Sequence, residues 1–150
     1  MKIERTVTAD VPVTAAFDFL ADFTTTTQWD PGTVSTIRLE GDGGVGTSYR
    51  NISKFLGRTT ELTYVVEERA QDARIRLRGE NKTVVSVDTM TFGRSAAGTE
   101  VTYTAEFTFK GLSRFVAPLL KPALTRLGNE AEDGLRTSLG KLSPRSADAS

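Results

Sequence analysis

Hydrophobic positions recur with two different periods in this chain, and the change of period divides it. Between residues 33 and 109 they alternate with polar ones. The clearest case is 99–109, TEVTYTAEFTF. There Val101, Tyr103, Ala105, Phe107 and Phe109 share one face, and Glu100, Thr102, Thr104, Glu106 and Thr108 the other, as a half-buried strand requires. In 73–80, ARIRLRGE, Ile75 and Leu77 oppose Arg74, Arg76 and Arg78. The same alternation predicts strands at 33–40, 47–56, 59–68 and 83–92, with turns at 41–46, Gly57-Arg58, 69–72 and 93–98. From 113 to 142 the period becomes helical. Val116, Leu120, Leu124, Leu127, Ala131, Leu135 and Leu142 form one apolar stripe on a rod roughly 36–45 Å long. Pro118 and Pro122 lack backbone donors, so the regular helix is expected to begin near Ala117, with Pro122 bending its first turn.

The first 32 residues are shorter pieces. Residues 2–8 alternate and predict a strand. Asp10 as a cap and Pro12 at the first helical position predict a helix over 12–22, with Val13, Ala16, Phe17 and Leu20 as its apolar face. The run TTTT at 24–27 offers a Thr cap for a second short helix, which Pro31 would stop at Asp30. The order is therefore β, α, α, six strands joined by short turns, and a long α. That predicts an α+β domain over 1–142, with a seven-stranded antiparallel meander and helices on one face. The tail 143–150, SPRSADAS, is expected to be flexible.

Composition removes whole classes of function. Lys plus Arg and Asp plus Glu are both 19, so there is no basic excess for nucleic acid and no Lys/Arg run for an anionic membrane. Cys and His are absent, which excludes thiol nucleophiles, Ser–His–Asp triads and the common zinc and iron sites. Neither a metal nor a cofactor is expected. Catalysis would rest on Asp, Glu, Lys, Tyr, Arg and water. No apolar leader opens the chain and no run reaches the ~18 apolar residues of a membrane span, so stable membrane insertion is not expected and a cytoplasmic location is.

Four stretches resemble one known family: VTADVPVTAAFDFLADF (7–23), Trp29-Asp30-Pro31, DTMTFGRSAAGTEVTYTAEFTFKG (88–111) and APLLKPALTRLGNEAEDGLRTSL (117–139). Together they are similar to the SRPBCC (START/Bet v 1-like) superfamily, and within it to the polyketide cyclase/dehydrase and lipid transport group. The resemblance implies a helix-grip fold, in which a seven-stranded curved sheet wraps a long C-terminal helix and two short helices lie between strands 1 and 2. It also implies an internal cavity for a small hydrophobic or amphipathic partner, lipid-like, polyketide or isoprenoid. The carrier or sensor reading needs no His or Cys. The alternative is a cyclase or aromatase with an Asp/Tyr acid–base group.

The face patterns nominate residues for that cavity. On the third strand Tyr49, Asn51, Ser53 and Phe55 share a face; the opposite register would turn Arg50, Ile52 and Lys54 inward. Asn51 and Ser53 would then be polar groups needing partners inside an apolar cup. Leu62, Tyr64, Leu77, Met90, Phe92 and Phe107 face inward on other strands, with Leu120 and Leu124 opposite them on the helix. Trp29, the only Trp, either stacks on a ligand at the mouth or plugs the core. Asp30 either caps its turn or serves as an acid. Pairing Phe92 with Thr99 across the 93–98 turn puts Asp88 opposite Tyr103, the best acid–base pair a His-free chain offers; a slip of one residue would export Asp88 to solvent. Gly41-x-Gly43-x-x-Gly46 spells a dinucleotide fingerprint, but a strand follows it where a helix is needed, so a hairpin loop is expected.

Overall fold

In the computed structural model, residues 1–142 are described; the tail assigned above to 143–150 lies outside them. Seven strands form one antiparallel sheet in the order β1-β7-β6-β5-β4-β3-β2. They are β1 (Lys2–Ala9), β2 (Thr33–Glu40), β3 (Ser48–Phe55), β4 (Arg58–Ala70), β5 (Arg74–Glu80), β6 (Val84–Ser95) and β7 (Gly98–Phe109). Helices α1 (Val13–Ala21), α2 (Thr26–Trp29) and α3 (Ser113–Gly140) complete the fold. A single 3₁₀ turn, Phe23–Thr25, joins α1 to α2. This is the helix-grip arrangement.

Three local details differ from the sequence reading. Pro12 sits just outside α1, in extended conformation, and no side chain among the described residues caps that helix. The cap of the second helical segment is Asp22, whose Oδ1 accepts from the Thr24 amide at 3.1 Å and its hydroxyl at 2.6 Å. An Asp side chain reaches the orphan amides of a first turn from that position. Helix α3 begins at Ser113 and carries both prolines inside it. Its start is held by i→i−3 bonds from Ser113, Arg114 and Phe115 to Lys110, Gly111 and Leu112.

The glycine-rich stretch after β2 is a loop. Gly41, Gly43 and Gly46 all have positive φ, and β3 follows. β2 is an edge strand. It exposes Val34, Ile37 and Leu39, and its pairing with β3 breaks register between Thr33 and Ser35 and again between Arg38 and Glu40. No helix among the described residues is long and apolar enough to cross a membrane.

The core occupies one end of the sheet's inner face. There α1 and α2 lie over the strands. Phe17 meets Phe92 edge-on at 5.1 Å, and Phe23 lies 4.8 Å from Tyr64 and 5.7 Å from Tyr49. Leu77, Ile75, Met90 and Val101 are sealed beneath. The C-terminal half of α3 closes this end with Ala131, Leu135 and Leu139. Gly134 lets α3 touch the backbone of α2: a methyl group there would fall onto the Trp29 carbonyl. The N-terminal half of α3 has no such cover among the described residues. Leu112 just before it, and Phe115 and Leu119 within it, are 83%, 65% and 78% exposed.

Candidate functional site

At the end of the sheet left bare by α1 and α2, the sheet and the N-terminal half of α3 enclose a cavity of about 270 Å³. Its wall follows from strand alternation. Every second residue of β6 points inward, in the order Val84, Ser86, Asp88, Met90. The first three line the cavity and the fourth is core. β7 contributes Phe109, Phe107, Ala105 and Tyr103 on the same face, and β3 contributes Phe55, Ser53 and Asn51. Leu62 and Tyr64 of β4 complete the strand side, and Val116, Leu120, Leu124 and Leu127 of α3 form the roof. The wall is mostly apolar, with its carboxyl, amide and phenol groups gathered on the strand side and Thr60, Thr83 and Ser113 also lining it.

The polar side chains bond to one another. Ser86 donates to Asp88 Oδ1 at 3.0 Å, and the Tyr103 hydroxyl donates to Oδ2 across a longer 3.4 Å. Tyr64 lines the same wall as Ser86. Tyr64 can lie over β5 because its neighbour there is Gly79: a Cβ at that position would sit 2.6 Å from the Tyr64 ring. Ser53 donates to Asn51 Oδ1 at 2.6 Å, and Asn51 Nδ2 donates to Thr36 at 2.9 Å and Thr33 at 3.2 Å. Asp30 reaches the cavity from the end of α2, with Oδ1 accepting from the Gly32 amide and Oδ2 from Thr33.

Burial controls the protonation of this set. Asp88 is 5% exposed, and removal from water pushes its carboxyl up to about 7, opposed by the Ser86 and Tyr103 hydrogen bonds and assisted by Asp30. Asp30 is also raised, by burial against the Thr33 and Gly32 bonds. Tyr64 and Tyr103 are held well above the usual phenol range, first by burial and then by the charge of Asp88. Near neutral pH Asp88 is therefore divided between its protonated and charged forms while both phenols stay neutral.

Of the thirteen residues proposed from the sequence to meet a ligand, Asn51, Ser53, Leu62, Tyr64, Tyr103, Phe107, Leu120 and Leu124 line the cavity. Trp29, Tyr49, Leu77, Met90 and Phe92 do not; they belong to the packed end. The four strand residues face inward but sit under α1 and α2, where helix side chains fill the space, and Trp29 is itself part of α2. Trp29 is the plug of its two options: it is 2% exposed and edge-on to Tyr103 at 5.4 Å, and its indole N–H has no acceptor among the described residues. Asp88 faces inward, but the β6–β7 register differs by two residues from the one expected. Phe92 pairs with Val101 and Asp88 with Ala105, because Ser95 and Gly98 close the hairpin around two residues only. A slip of two preserves the face, so Asp88 meets Tyr103 diagonally. Asp30 bonds its own turn, the first of its two options, and its side chain also lines the cavity. Ser86 and Gly79 were not singled out from the sequence. Two consecutive inward polar positions in one strand, Ser86 and Asp88, were the available signal.

Comparison with known proteins agrees with this architecture. Solved structures with the same fold include TTHA0849 from Thermus thermophilus, at a TM-score of 0.79 and 14% identity over 100% of both chains. The ZhuI aromatase/cyclase from Streptomyces sp. R1128 has a TM-score of 0.79 and 18% identity, over 99% of this chain and 97% of that one. Ara h 8.0201 has a TM-score of 0.59 and 17% identity, over 90% of this chain and 97% of its own. A search of curated proteins finds no match. The family model for polyketide cyclase/dehydrase and lipid transport proteins matches residues 1–142, every element that builds the sheet, the grip and the cavity, and the chain belongs to that family.

Proposed function

We propose that the protein binds a small hydrophobic or amphipathic molecule in this cavity, as a carrier or sensor. The carrying observation is the cavity itself, walled mainly by apolar side chains with a cluster of polar ones around Asp88. Its volume lies near the small end of the ~300–1,000 Å³ typical of ligand sites, which suits a single chain or a few fused rings. Burying roughly 300 Å² of apolar ligand surface at ~25 cal/mol per Å² would supply about 7 kcal/mol before association costs. The test is native mass spectrometry of the purified protein, with extraction of any bound molecule. Ala105→Phe should accompany it, because Ala105 is 2% exposed and its side chain borders the empty space. Uptake of Nile red, a neutral apolar dye, should be lost in the variant while its far-UV circular dichroism is retained. Equal uptake by both proteins would refute the cavity as the binding site.

One observation favours a second reading, cyclase-type catalysis: Asp88 is buried in the cavity wall, with its carboxyl pushed up to about 7 and Tyr103 beside it. A group so poised can exchange a proton with a carbonyl-bearing chain folded against it, the chemistry an aromatase/cyclase needs. Deuterium incorporation at the central carbon of an alkyl 1,3-diketone should be accelerated by the protein and not by Asp88→Asn. Equal rates would remove Asp88 from any such mechanism.

A further inference from the structure

The polar cluster of the cavity is unbalanced in a way that bears on which molecule it takes. Among the described residues no Lys or Arg lines it, the chain has no His, and two carboxyl groups, Asp30 and Asp88, do line it. Most of the donors around Asp88 and Asn51 are also already used. Ser86 and Tyr103 both donate to Asp88, Ser53 donates to Asn51, and both Asn51 amide bonds run to threonines. What the ionised Asp88 offers a guest is acceptor capacity. A carboxylate offers about four lone-pair directions, and Asp88 uses two.

Resting on the binding function proposed above, we infer that this cluster selects the head group of the ligand: it takes an amphiphile whose head donates hydrogen bonds, a hydroxyl, phenol or ammonium, and turns away heads that only accept, above all carboxylates. A donor head completes the coordination of Asp88. A carboxylate head would enter a dry site with no cation, facing a carboxyl whose donors are spent. Leaving such groups unpaired costs enough to change affinity by about tenfold or more. The groups facing Asp88 that titrate are Asp30 from the end of α2, Tyr64 from β4 and Tyr103 from β7. The phenols stay neutral, so the two carboxyls set the local charge.

Four chain-matched probes separate the possibilities: decanol, decylamine, decanoate and methyl decanoate, each measured by displacement of Nile red and by calorimetry. At about pH 8 decanol and decylamine should bind at least about tenfold more tightly than decanoate. Asp88→Asn, which removes the charge and adds a donor, should narrow that gap. Should the variant fold poorly, the wild-type protein supplies an independent reading. Methyl decanoate does not titrate, yet its affinity should fall as pH rises through about 7, where Asp88 ceases to donate, while that of decanol should hold. Decanoate binding within about threefold of decanol at about pH 8 overturns the selection rule. If all four bind equally and Ala105→Phe excludes them all, the cavity function survives and the head-group rule alone is overturned. If none of the four binds, both are overturned.

Discussion

Replacing Asp88 by Asn should make the protein more stable, and by an amount that depends on pH. The side chain keeps its shape and loses its charge. In the folded protein the carboxyl titrates near 7, against an ordinary value of 3.8 in the unfolded chain. Below about pH 4 both states carry the proton and the wild type loses nothing. Between 3.8 and about 7 the folded state holds a proton that the unfolded state has released, so wild-type stability falls as pH rises. Above about 7 the loss is complete. At ~1.4 kcal/mol per pH unit, the interval amounts to about 4 kcal/mol, a large share of the ~5–15 kcal/mol that holds a domain together. For a chain of this length that corresponds to roughly 10 °C in Tm. Urea unfolding followed by the fluorescence of Trp29, the sole and buried Trp, measures it directly. The advantage of Asp88→Asn should nearly vanish at about pH 4 and reach a few kcal/mol at about pH 8. Asp30 is present in both proteins and adds to the Asp88 shift, so the difference reports Asp88 together with its coupling to Asp30. A difference that stays constant across this range would refute the claim that burial controls the protonation of this carboxyl.

Other expectations follow from close packing. Gly134→Ala pushes α3 against the Trp29 backbone and should cost about 2–3 kcal/mol in chemical unfolding, with a red shift of Trp29 emission as α2 lifts. Gly79→Ala drives a methyl into the Tyr64 ring, so probe affinity in the cavity should fall by more than Tm does. Leu135→Ala, at a fully buried position beneath α3, should lose about 2–5 kcal/mol in urea titration. Amide exchange should be much faster over 113–121 than over 124–139, because the first half of α3 has exposed side chains and prolines that break its bonding while the second half is sealed.

Which residues face inward was legible from the chain, because a period of two is a geometric property of any strand. Asn51, Ser53, Leu62, Tyr64 and Phe107 reached the cavity wall on that basis. How far along the strand a side chain sits was not legible, and there Tyr49, Leu77, Met90 and Phe92 went astray. Whether an inward residue meets helix or empty space depends on where α1 and α2 come to rest, and no local period encodes that. The β6–β7 register failed by two residues for a related reason: alternation fixes parity, and only the tightness of the turn fixes the offset. The same parity preserved the Asp88–Tyr103 meeting. The cap of the second helical segment was missed because the threonine run offers four competing hydroxyls, and Asp22 stands just upstream of them.

The rim of the sheet at β2 bears on how the molecule behaves at high concentration. Open strand margins carry unsatisfied amides and carbonyls, and Val34, Ile37 and Leu39 would make this one adhesive were it straight. Its two breaks in pairing spoil the regular ladder that a second chain would need in order to extend the sheet.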